Sequence, residues 1–342
     1  MQRILVTRQL TEPAMALLRS GAAEGKYILD EWASSGPMPR PELLRRAAGA
    51  SGLLITLSDK INGELLDAAG PQLKVVSTVS VGYDHVGVHE CTARGVQVGN
   101  TPDVLTDATA DLTVSLLLST ARLLPTAAAC VKNGRWGPWH INWMCGADIS
   151  GSTVGIVGLG RIGAAVARRL AGFNIGKLLY SGRNPAAQAL VNHATVRFVN
   201  DDGSISSSPI PQHTPLEQLL RESDFVIATC ALTDDTKLMF NKERFALMKP
   251  TATFVNSARG GIVDQDALYE ALTTGRIARA GLDVTSPEPL PPKHPLLTLD
   301  NCLVLPHIGS ATFNTRNAMC MRAVQNLYAG IAGQKVPFGV QA

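Results

Sequence analysis

Three side chains that could act on a carbonyl group each lie just past a predicted strand. Arg259 lies in TATFVNSARG, immediately before Gly260, while Glu288 lies in DVTSPEPLP and His307 lies in LVLPHIGSAT. A guanidinium matches a carboxylate with parallel hydrogen bonds. An imidazole whose protonated form is stabilised by a carboxylate can deliver a proton near neutral pH. The three types together predict a general acid that protonates a carbonyl oxygen while hydride reaches the carbon. Taken singly, each has a structural explanation, such as a buried ion pair for Arg259.

The elements that would position these side chains surround a glycine-rich turn. Residues 152–163, STVGIVGLGRIG, place G-x-G-x-x-G at Gly158, Gly160 and Gly163, between a predicted strand and a predicted helix. The first glycine permits a tight turn, the second lets the backbone approach a pyrophosphate, and the third lets the helix pack closely on the strand. The helix N-terminus adds free N–H groups and a positive dipole end. This context predicts a dinucleotide site, although the bare pattern also occurs in ordinary turns.

The residues after the next strand bear on which dinucleotide binds. An acidic residue about 20 positions beyond the first glycine is typical of NAD sites, where it binds the ribose 2′-hydroxyl. The segment LYSGRN at 179–184 has no acid there. Ser181 and Arg183 could instead bind a 2′-phosphate. We therefore expect NADP(H) to be preferred, with NAD(H) possible; the alternative is that Arg183 is a surface residue.

Strand and helix patterns alternate through the first hundred residues, and a second alternating set with six predicted strands surrounds the glycine turn. Such alternation predicts parallel sheets covered by helices on both faces, at whose carboxyl edge the ligand crevice lies. The fold class is therefore α/β with two doubly wound parallel-sheet domains, the second a Rossmann NAD(P)-binding domain.

Three other segments stand out between these sets. The apolar stretch from Thr106 to Cys130 predicts one long helix that is buried on most faces. The segment at 133–146, NGRWGPWHINWMCG, predicts a loop whose three tryptophans need burial, either on their own domain or against a partner subunit. The polar segment at 200–213, NDDGSISSSPIPQH, predicts an exposed, mobile loop or insertion.

Composition narrows the class of protein. The chain has 342 residues, 45% of them hydrophobic, and a net charge of only +3, without a dense basic cluster. We expect no nucleic-acid partner and, since no apolar run reaches the length of a membrane span, no membrane partner. The six scattered cysteines form no C-x-x-C pair, which predicts reduced thiols and no metal site. With no targeting segment at either end, the expected location is the cytoplasm.

Four motifs, in this order and spacing, resemble the D-2-hydroxyacid dehydrogenase family over nearly the whole chain. They are TVGIVGLGRIG, SARGGIVDQDAL, AGLDVTSPEPLP and LPHIGSAT. With STVSVGYDHV and TPDVLTDATADLTVSLLL added, the chain is most similar to the animal glyoxylate/hydroxypyruvate reductases. The resemblance implies a flavodoxin-like substrate-binding domain at 1–103 and 316–342, and a coenzyme domain at 104–315. It also implies substrate in the cleft and a homodimer.

The resemblance also implies roles for residues at matching positions. Arg259 would orient the substrate, Glu288 would pair with His307, and His307 would donate the proton. Val81 and Gly82 would offer backbone N–H groups to the substrate carboxylate, although Tyr83 after them departs from the usual aliphatic residue. Leu57 and Ser58 would line the other side, and Trp139 is a candidate for reaching a neighbouring subunit's pocket. The coenzyme site would comprise Thr109, Gly158, Gly160, Arg161, Ile162, Gly163, Ser181, Arg183, Asn184, Cys230, Ala231, Thr236, Ser257, Ala258, Asp283 and Gly309.

These features predict an NADPH-dependent reductase of small 2-oxo acids, converting glyoxylate to glycolate and hydroxypyruvate to D-glycerate. Two alternatives stay open. One is a relative acting on another D-2-hydroxy acid, such as a phosphoglycerate dehydrogenase. The other is a non-catalytic, NAD(P)-sensing, corepressor-like binding protein, since one fold can serve several functions.

Overall fold

The computed structural model describes residues 1–184, 187, 191, 197–199 and 205–341. The chain divides into two compact units, Met1–Leu105 with Ala311–Ala342 and Thr106–Ser310. The resemblance placed the domain boundaries at 103/104 and 315/316, and the latter falls inside a helix that begins at Phe313.

The first unit is a parallel sheet with helices on its faces. Its strands are β1 (Arg3–Val6), β2 (Ile28–Glu31), β3 (Gly52–Ile55), β4 (Val75–Thr78), β5 (Gln97–Gly99) and β15 (Gly339–Val340). Its helices are α1 (Glu12–Ala23), α2 (Arg40–Ala47), α3 (Gly63–Ala69), α4 (Val88–Ala93) and α11 (Phe313–Ile331). The strand order is β2-β1-β3-β4-β5-β15, with only β15 antiparallel to its neighbour. The five parallel strands thus have the flavodoxin-like order.

The second unit contains a seven-stranded parallel sheet and a separate pair of antiparallel strands, Arg197–Val199 and Ile205–Ser207. Its strands are β6 (Thr153–Val157), β7 (Lys177–Ser181), β8 (Arg197–Val199), β9 (Ile205–Ser207), β10 (Gln212–His213), β11 (Phe225–Ala228), β12 (Thr253–Asn256), β13 (Arg279–Leu282) and β14 (Cys302–Val304). Its helices are α5 (Thr106–Ala121), α6 (Leu124–Lys132), α7 (Arg161–Leu170), α8 (Leu216–Glu222), α9 (Lys242–Phe245) and α10 (Gln265–Thr273). The order is β10-β7-β6-β11-β12-β13-β14. It follows the Rossmann order 3-2-1-4-5-6 with one further strand, so the predicted fold class is confirmed.

The predicted single helix over Thr106–Cys130 is wrong. Two helices, α5 and α6, bend by 64° at a break between them. Leu123 takes a left-handed conformation with φ 55°, and Pro125 lies in the first turn of α6, where the missing N–H of proline does no harm. The first helix packs on α7, β12 and β13, whereas in α6 only Cys130 is buried. Apolar composition could not locate this bend, since alanine and leucine suit either arrangement.

The segment at 200–213 is not simply a loop. Residues 200–204 lie outside those the structure describes, but 205–207 form β9, and Gln212–His213 form β10. The latter strand pairs in parallel with Leu179–Tyr180 and is the strand that the six-strand prediction lacked. Two exposed polar residues on an edge strand carry no alternation of apolar side chains, which explains the omission.

Within the described ranges no single helix is long and apolar enough to cross a membrane, and the bent pair α5–α6 meets the criteria by length and composition only.

Candidate active site

The three predicted catalytic side chains follow three neighbouring strands of the second unit. Arg259 lies after β12, Glu288 after β13 and His307 after β14, and these strands are adjacent and parallel. Their carboxyl ends therefore meet at one edge of the sheet. The strands are held there because β12 and most of β13 are buried.

Glu288 and His307 are in direct contact. Oε2 of Glu288 lies 2.8 Å from Nδ1 of His307, and Oε1 accepts a hydrogen bond of 2.9 Å from the Thr285 N–H. Burial raises the pKa of the Glu288 carboxyl, but the hydrogen bond and charge of His307, the Thr285 N–H and the charge of Arg259 outweigh it, so this pKa lies below 4.5. The carboxylate is therefore ionised at neutral pH and can hold the imidazole with Nε2 free.

Asp283, which was predicted to contact the coenzyme, organises the turn that carries His307. Its carboxylate is buried and accepts hydrogen bonds of 2.8 Å from the N–H groups of both Ile308 and Gly309. Its carbonyl accepts the His307 N–H at 2.8 Å, and His307 has a left-handed φ of 53°. Burial raises the pKa of Asp283 above 3.8, although the two N–H groups and the charge of His307 oppose the shift. Two carboxylates thus fix His307: Glu288 contacts its imidazole ring, and Asp283 holds the backbone of the turn that carries it.

Arg259 is held by backbone contacts around Asn256. The fully buried Asn256 amide accepts the Ala258 N–H and donates to the Arg259 carbonyl, each at 3.0 Å. The following residue must be glycine, since a Cβ on Gly260 would lie only 1.9 Å from the Thr285 carbonyl oxygen. This close approach joins the Arg259 turn to the loop that carries Glu288.

The structure explains why each of the three positions in the central turn, 158, 160 and 163, is glycine. Gly158 has φ 97°, and a Cβ there would lie 2.6 Å from backbone atoms of Cys230. A Cβ on Gly163 would lie 2.4 Å from the Gly158 carbonyl oxygen, so a larger residue would push α7 off the strand. A Cβ on Gly160 would meet no atom within 4 Å. The open space lies at the N-terminus of α7, where a pyrophosphate could approach free N–H groups.

The other predicted coenzyme residues lie at the same carboxyl edge. Ser181 ends β7 and its carbonyl accepts the Gly158 N–H at 2.8 Å, while Arg183 and Asn184 are exposed just beyond it. After β11, Thr236 Oγ1 donates to the Ala231 carbonyl at 2.7 Å. Several more lie nearby in the fold: Arg161 and Ile162 in the first turn of α7, Ser257 and Ala258 after β12, Thr109 in α5 and Cys230 after β11. Thr113 links two of them, since its Oγ1 lies 2.7 Å from both the Ser257 hydroxyl and the Thr109 carbonyl oxygen.

The predicted substrate residues of the first unit follow two adjacent strands. Leu57 and Ser58 come after β3, and Val81 and Gly82 come after β4. Two contacts fix the second pair: the Asn100 amide donates to the Val81 carbonyl at 2.8 Å, and the Ser80 hydroxyl donates to the Gly82 carbonyl at 2.7 Å. Among the residues that the structure describes, no backbone hydrogen bond is donated by the N–H of Val81 or Gly82, so both can serve a ligand.

The segment at 133–146, here called the tryptophan loop, contains no helix or strand, as its sequence predicts. Trp136 is 69% exposed and Trp139 is 80% exposed, whereas Trp143 is half-buried. Packing on their own domain, one of the two expectations for this loop, therefore does not account for Trp136 and Trp139.

Two positioning residues, Gln265 and Asn256, were not predicted from the sequence. Gln265 brackets Ser286, accepting its N–H at 2.9 Å and donating to its carbonyl at 2.6 Å. Asn256 brackets the Arg259 turn, as described above. A polar residue within or beside an apolar strand end was the available signal for Asn256, but nothing in the sequence pairs Gln265 with Ser286. The described residues include no group of three or more His, Cys, Asp or Glu arranged to hold a metal.

A family model for the NAD-binding domain of D-isomer specific 2-hydroxyacid dehydrogenases matches residues 114–309. Curated relatives match over nearly the full length. The chain is 49% identical over 337 residues to glyoxylate reductase/hydroxypyruvate reductase of Mus musculus, covering 98% of this chain and 97% of the relative. It is 41% identical over 339 residues to glyoxylate reductase of Pyrococcus furiosus, covering 98% and 94%.

Solved structures are similar over the same extent. A protein from Thermus thermophilus superposes with a TM-score of 0.85 at 41% identity, covering 99% of this chain and 100% of that one. An NADPH-dependent glyoxylate/hydroxypyruvate reductase from Sinorhizobium meliloti, solved in complex with NADP and malonate, gives a TM-score of 0.79 at 32% identity, covering 99% and 96%.

Proposed function

Because this chain belongs to the D-isomer specific 2-hydroxyacid dehydrogenase family, and is thus a nicotinamide-dependent oxidoreductase, we propose that it uses NADPH to reduce glyoxylate to glycolate and hydroxypyruvate to D-glycerate. The observation that carries this proposal is the 2.8 Å contact between Glu288 and His307 at the sheet edge that also bears Arg259. The bound coenzyme supplies the hydride.

The protein side of the reaction follows from these groups. The Arg259 guanidinium orients the substrate through its carboxylate and carbonyl oxygens, for which its planar fork is suited. His307, held by Glu288, donates a proton to the carbonyl oxygen as C2 becomes tetrahedral. The backbone N–H groups of Val81 and Gly82 bind the substrate carboxylate, with Leu57 and Ser58 lining the site. A small 2-oxo acid suits this site, because these groups bind only the carboxylate and the carbonyl of the substrate.

NADPH is the proposed coenzyme because a phosphate suits the end of β7. The glycine turn fits a dinucleotide, since the space in front of Gly160 is open at the start of a ten-residue helix. Beyond it, Ser181 offers a hydroxyl, Arg183 is an exposed cation, and residues 179–184 contain no acid that would repel a 2′-phosphate. The Sinorhizobium meliloti relative is described as NADPH-dependent. NAD(H) remains a possible second coenzyme.

A homodimer is the proposed assembly. Trp136, Trp139 and Ile141 are 69–80% exposed on one loop, and Leu124 and Val131 of α6 are about half exposed. Aromatic residues are enriched at interfaces, where a partner removes them from water. We propose that a partner subunit covers this loop and that Trp139 reaches the partner's substrate site.

The six cysteines are all free thiols, which supports the proposed cytoplasmic location.

The decisive experiment is a panel of 2-oxo acids assayed with NADPH and with NADH by loss of nicotinamide absorbance. We expect turnover with glyoxylate and hydroxypyruvate, and a higher kcat/KM for NADPH. Binding of coenzyme without turnover of any 2-oxo acid would reject the enzyme proposal in favour of a coenzyme-sensing protein. An Arg183→Ala variant should narrow the NADPH advantage, and an NADH preference in the wild type would overturn the coenzyme assignment.

A further inference from the structure

Arg8 carries a positive charge to the carboxyl edge of the first unit's sheet. It lies two residues beyond β1, whose neighbours are β2 and β3. The Thr7 N–H still donates to the Leu54 carbonyl of β3 at 3.0 Å, so the chain leaves the sheet at Arg8. In the order β2-β1-β3-β4-β5 the topological switch point lies between β1 and β3. Ligands of doubly wound sheets bind in the crevice outside this point.

The Arg8 guanidinium is held by neutral oxygens. Nη2 donates to the Ser58 hydroxyl at 2.7 Å and Nη1 donates to the Ser35 carbonyl at 2.9 Å. Within the parts of the chain that the structure describes, no carboxylate oxygen lies within 4.0 Å of it. The buried Asp59 is close in sequence to Ser58, but its Oδ2 accepts the Thr7 hydroxyl at 2.6 Å and the Thr56 N–H at 2.8 Å. The charge on Arg8 is therefore not neutralised by an acidic neighbour.

The Arg8 charge strengthens the Ser58 hydroxyl as a hydrogen-bond donor. The Ser58 side chain is exposed, and its oxygen accepts from Arg8. It also lies 3.2 Å from Thr56 Oγ1, a contact in which either hydroxyl can donate, so the Ser58 hydrogen can serve Thr56 or a ligand. A hydroxyl that accepts from a cation is a stronger donor, because hydrogen bonds in a chain polarise one another. The pair thus forms a donor group with a positive charge behind it, which matches an oxygen acceptor and matches an anionic oxygen better.

We propose that Arg8 and Ser58 form a subsite for an oxygen-bearing substituent on C3 of the 2-oxo acid. The inference rests on the proposed function and adds a specificity-determining residue to it. The substituents it selects are a hydroxyl, as in hydroxypyruvate, and more strongly a carboxylate. A methyl group offers no acceptor to the Ser58 hydroxyl and no negative charge to Arg8, which disfavours pyruvate.

The test compares substrates that differ only at C3. Steady-state kcat/KM is measured for pyruvate, hydroxypyruvate and oxaloacetate, with glyoxylate as the substrate that lacks C3. In the Arg8→Ala variant we expect the hydroxypyruvate-to-pyruvate ratio of kcat/KM to fall about tenfold, the usual effect of one charge-assisted hydrogen bond. The oxaloacetate-to-pyruvate ratio should fall further. Arg8→Lys, which keeps the charge without the planar fork, should retain part of both ratios.

Two comparisons keep the outcome decisive. Arg45→Ala removes an exposed arginine that pairs with Glu42 in its own helix, and its ratios should match those of the wild type. If Arg8→Ala is too unstable to purify, Arg8→Gln retains a donor toward Ser58 without the charge, and the same fall is expected for oxaloacetate. Unchanged ratios in a folded Arg8 variant would overturn the subsite. Absence of turnover with every 2-oxo acid in the wild type would instead reject the proposed function.

Discussion

The Glu288 carboxylate lies 2.8 Å from Nδ1 of His307 with one oxygen and receives the Thr285 N–H at 2.9 Å with the other. Both oxygens are therefore engaged, so neither the charge nor the orientation of this side chain can change without moving the imidazole. Asp283 fixes the turn that carries His307, since its carbonyl accepts the His307 N–H and its carboxylate accepts the N–H groups of Ile308 and Gly309.

Glu288→Gln should lower kcat by about a hundredfold, the scale of general acid catalysis. The amide keeps the shape of the side chain but removes the anion that stabilises a protonated imidazole. Its NH₂ group must also face either Nδ1 or the Thr285 N–H. Single-turnover reduction of hydroxypyruvate measures the effect, and Glu217→Gln, on the first turn of α8, is the matched control. An unchanged rate would show that His307 works without this partner.

The same variant has a pH signature in stability. The pKa of Glu288 is lowered in the folded state, so its ionised form stabilises the fold above the ordinary value of 4.5, and this contribution is lost as pH falls through the lowered pKa. Melting temperatures of the wild type and Glu288→Gln should therefore differ near pH 7 and converge below pH 4.5. A difference that is constant across this range would contradict the ionic contribution of Glu288.

Asp283→Asn should lower kcat while the protein stays folded. An amide has one acceptor oxygen, so it can receive the N–H of Ile308 or of Gly309 but not both, and its NH₂ group then opposes the second donor. The turn that gives His307 its left-handed φ should shift, moving the imidazole. Because burial raises the pKa of Asp283, the native carboxylate costs stability as pH rises through that pKa. The melting temperature of the variant should thus change little while its kcat falls. Asp300→Asn is the exposed control, and a kcat that falls only together with a large drop in melting temperature would contradict this role.

Gln265→Ala should lower kcat by about tenfold, since it removes two hydrogen bonds that fix Ser286, two residues before Glu288. Gln265→Glu should not restore the rate, because a carboxylate accepts the Ser286 N–H but cannot donate to its carbonyl. Coenzyme affinity, measured by fluorescence titration, should stay unchanged in both. The exposed Gln218→Ala is the control. A fall in melting temperature with an unaltered kcat would make the contact merely structural.

Two glycines of the central turn should respond differently to alanine. Gly158→Ala places a methyl group 2.6 Å from the Cys230 backbone at a positive φ, so the melting temperature should fall. Gly160→Ala meets no protein atom within 4 Å, so the fold should be unaffected while the methyl group excludes the pyrophosphate. Thermal unfolding and coenzyme titration separate the two effects. Normal coenzyme binding by Gly160→Ala would refute the placement of the pyrophosphate.

Trp139→Ala should weaken the proposed dimer and lower kcat/KM, because a large aromatic side chain that a partner buries contributes strongly to an interface. Sedimentation velocity over a range of protein concentrations measures the assembly, and Phe313→Ala, also highly exposed but in the other unit, is the control. A monomeric wild type at all concentrations would overturn the assembly.

Much of this protein could be predicted from its sequence because the signals are local. Alternating apolar strands and helices specify two parallel sheets, and a catalytic side chain just past a strand must lie at the sheet edge. The glycine spacing likewise acts within one strand–turn–helix unit. Arg259, Glu288 and His307 could therefore be assigned to one edge without knowing any distance between them.

Other features were decided by tertiary packing. The bend at Leu123 and the edge strand at Gln212–His213 depend on neighbouring elements, since their own residues suit more than one conformation. Gln265 and Ser286 are distant in the sequence and meet only because β12 and β13 are neighbours in the sheet. The charge state of Glu288 also required the structure, because burial raises its pKa while His307 and Arg259 lower it, and the balance depends on distances that no sequence pattern specifies.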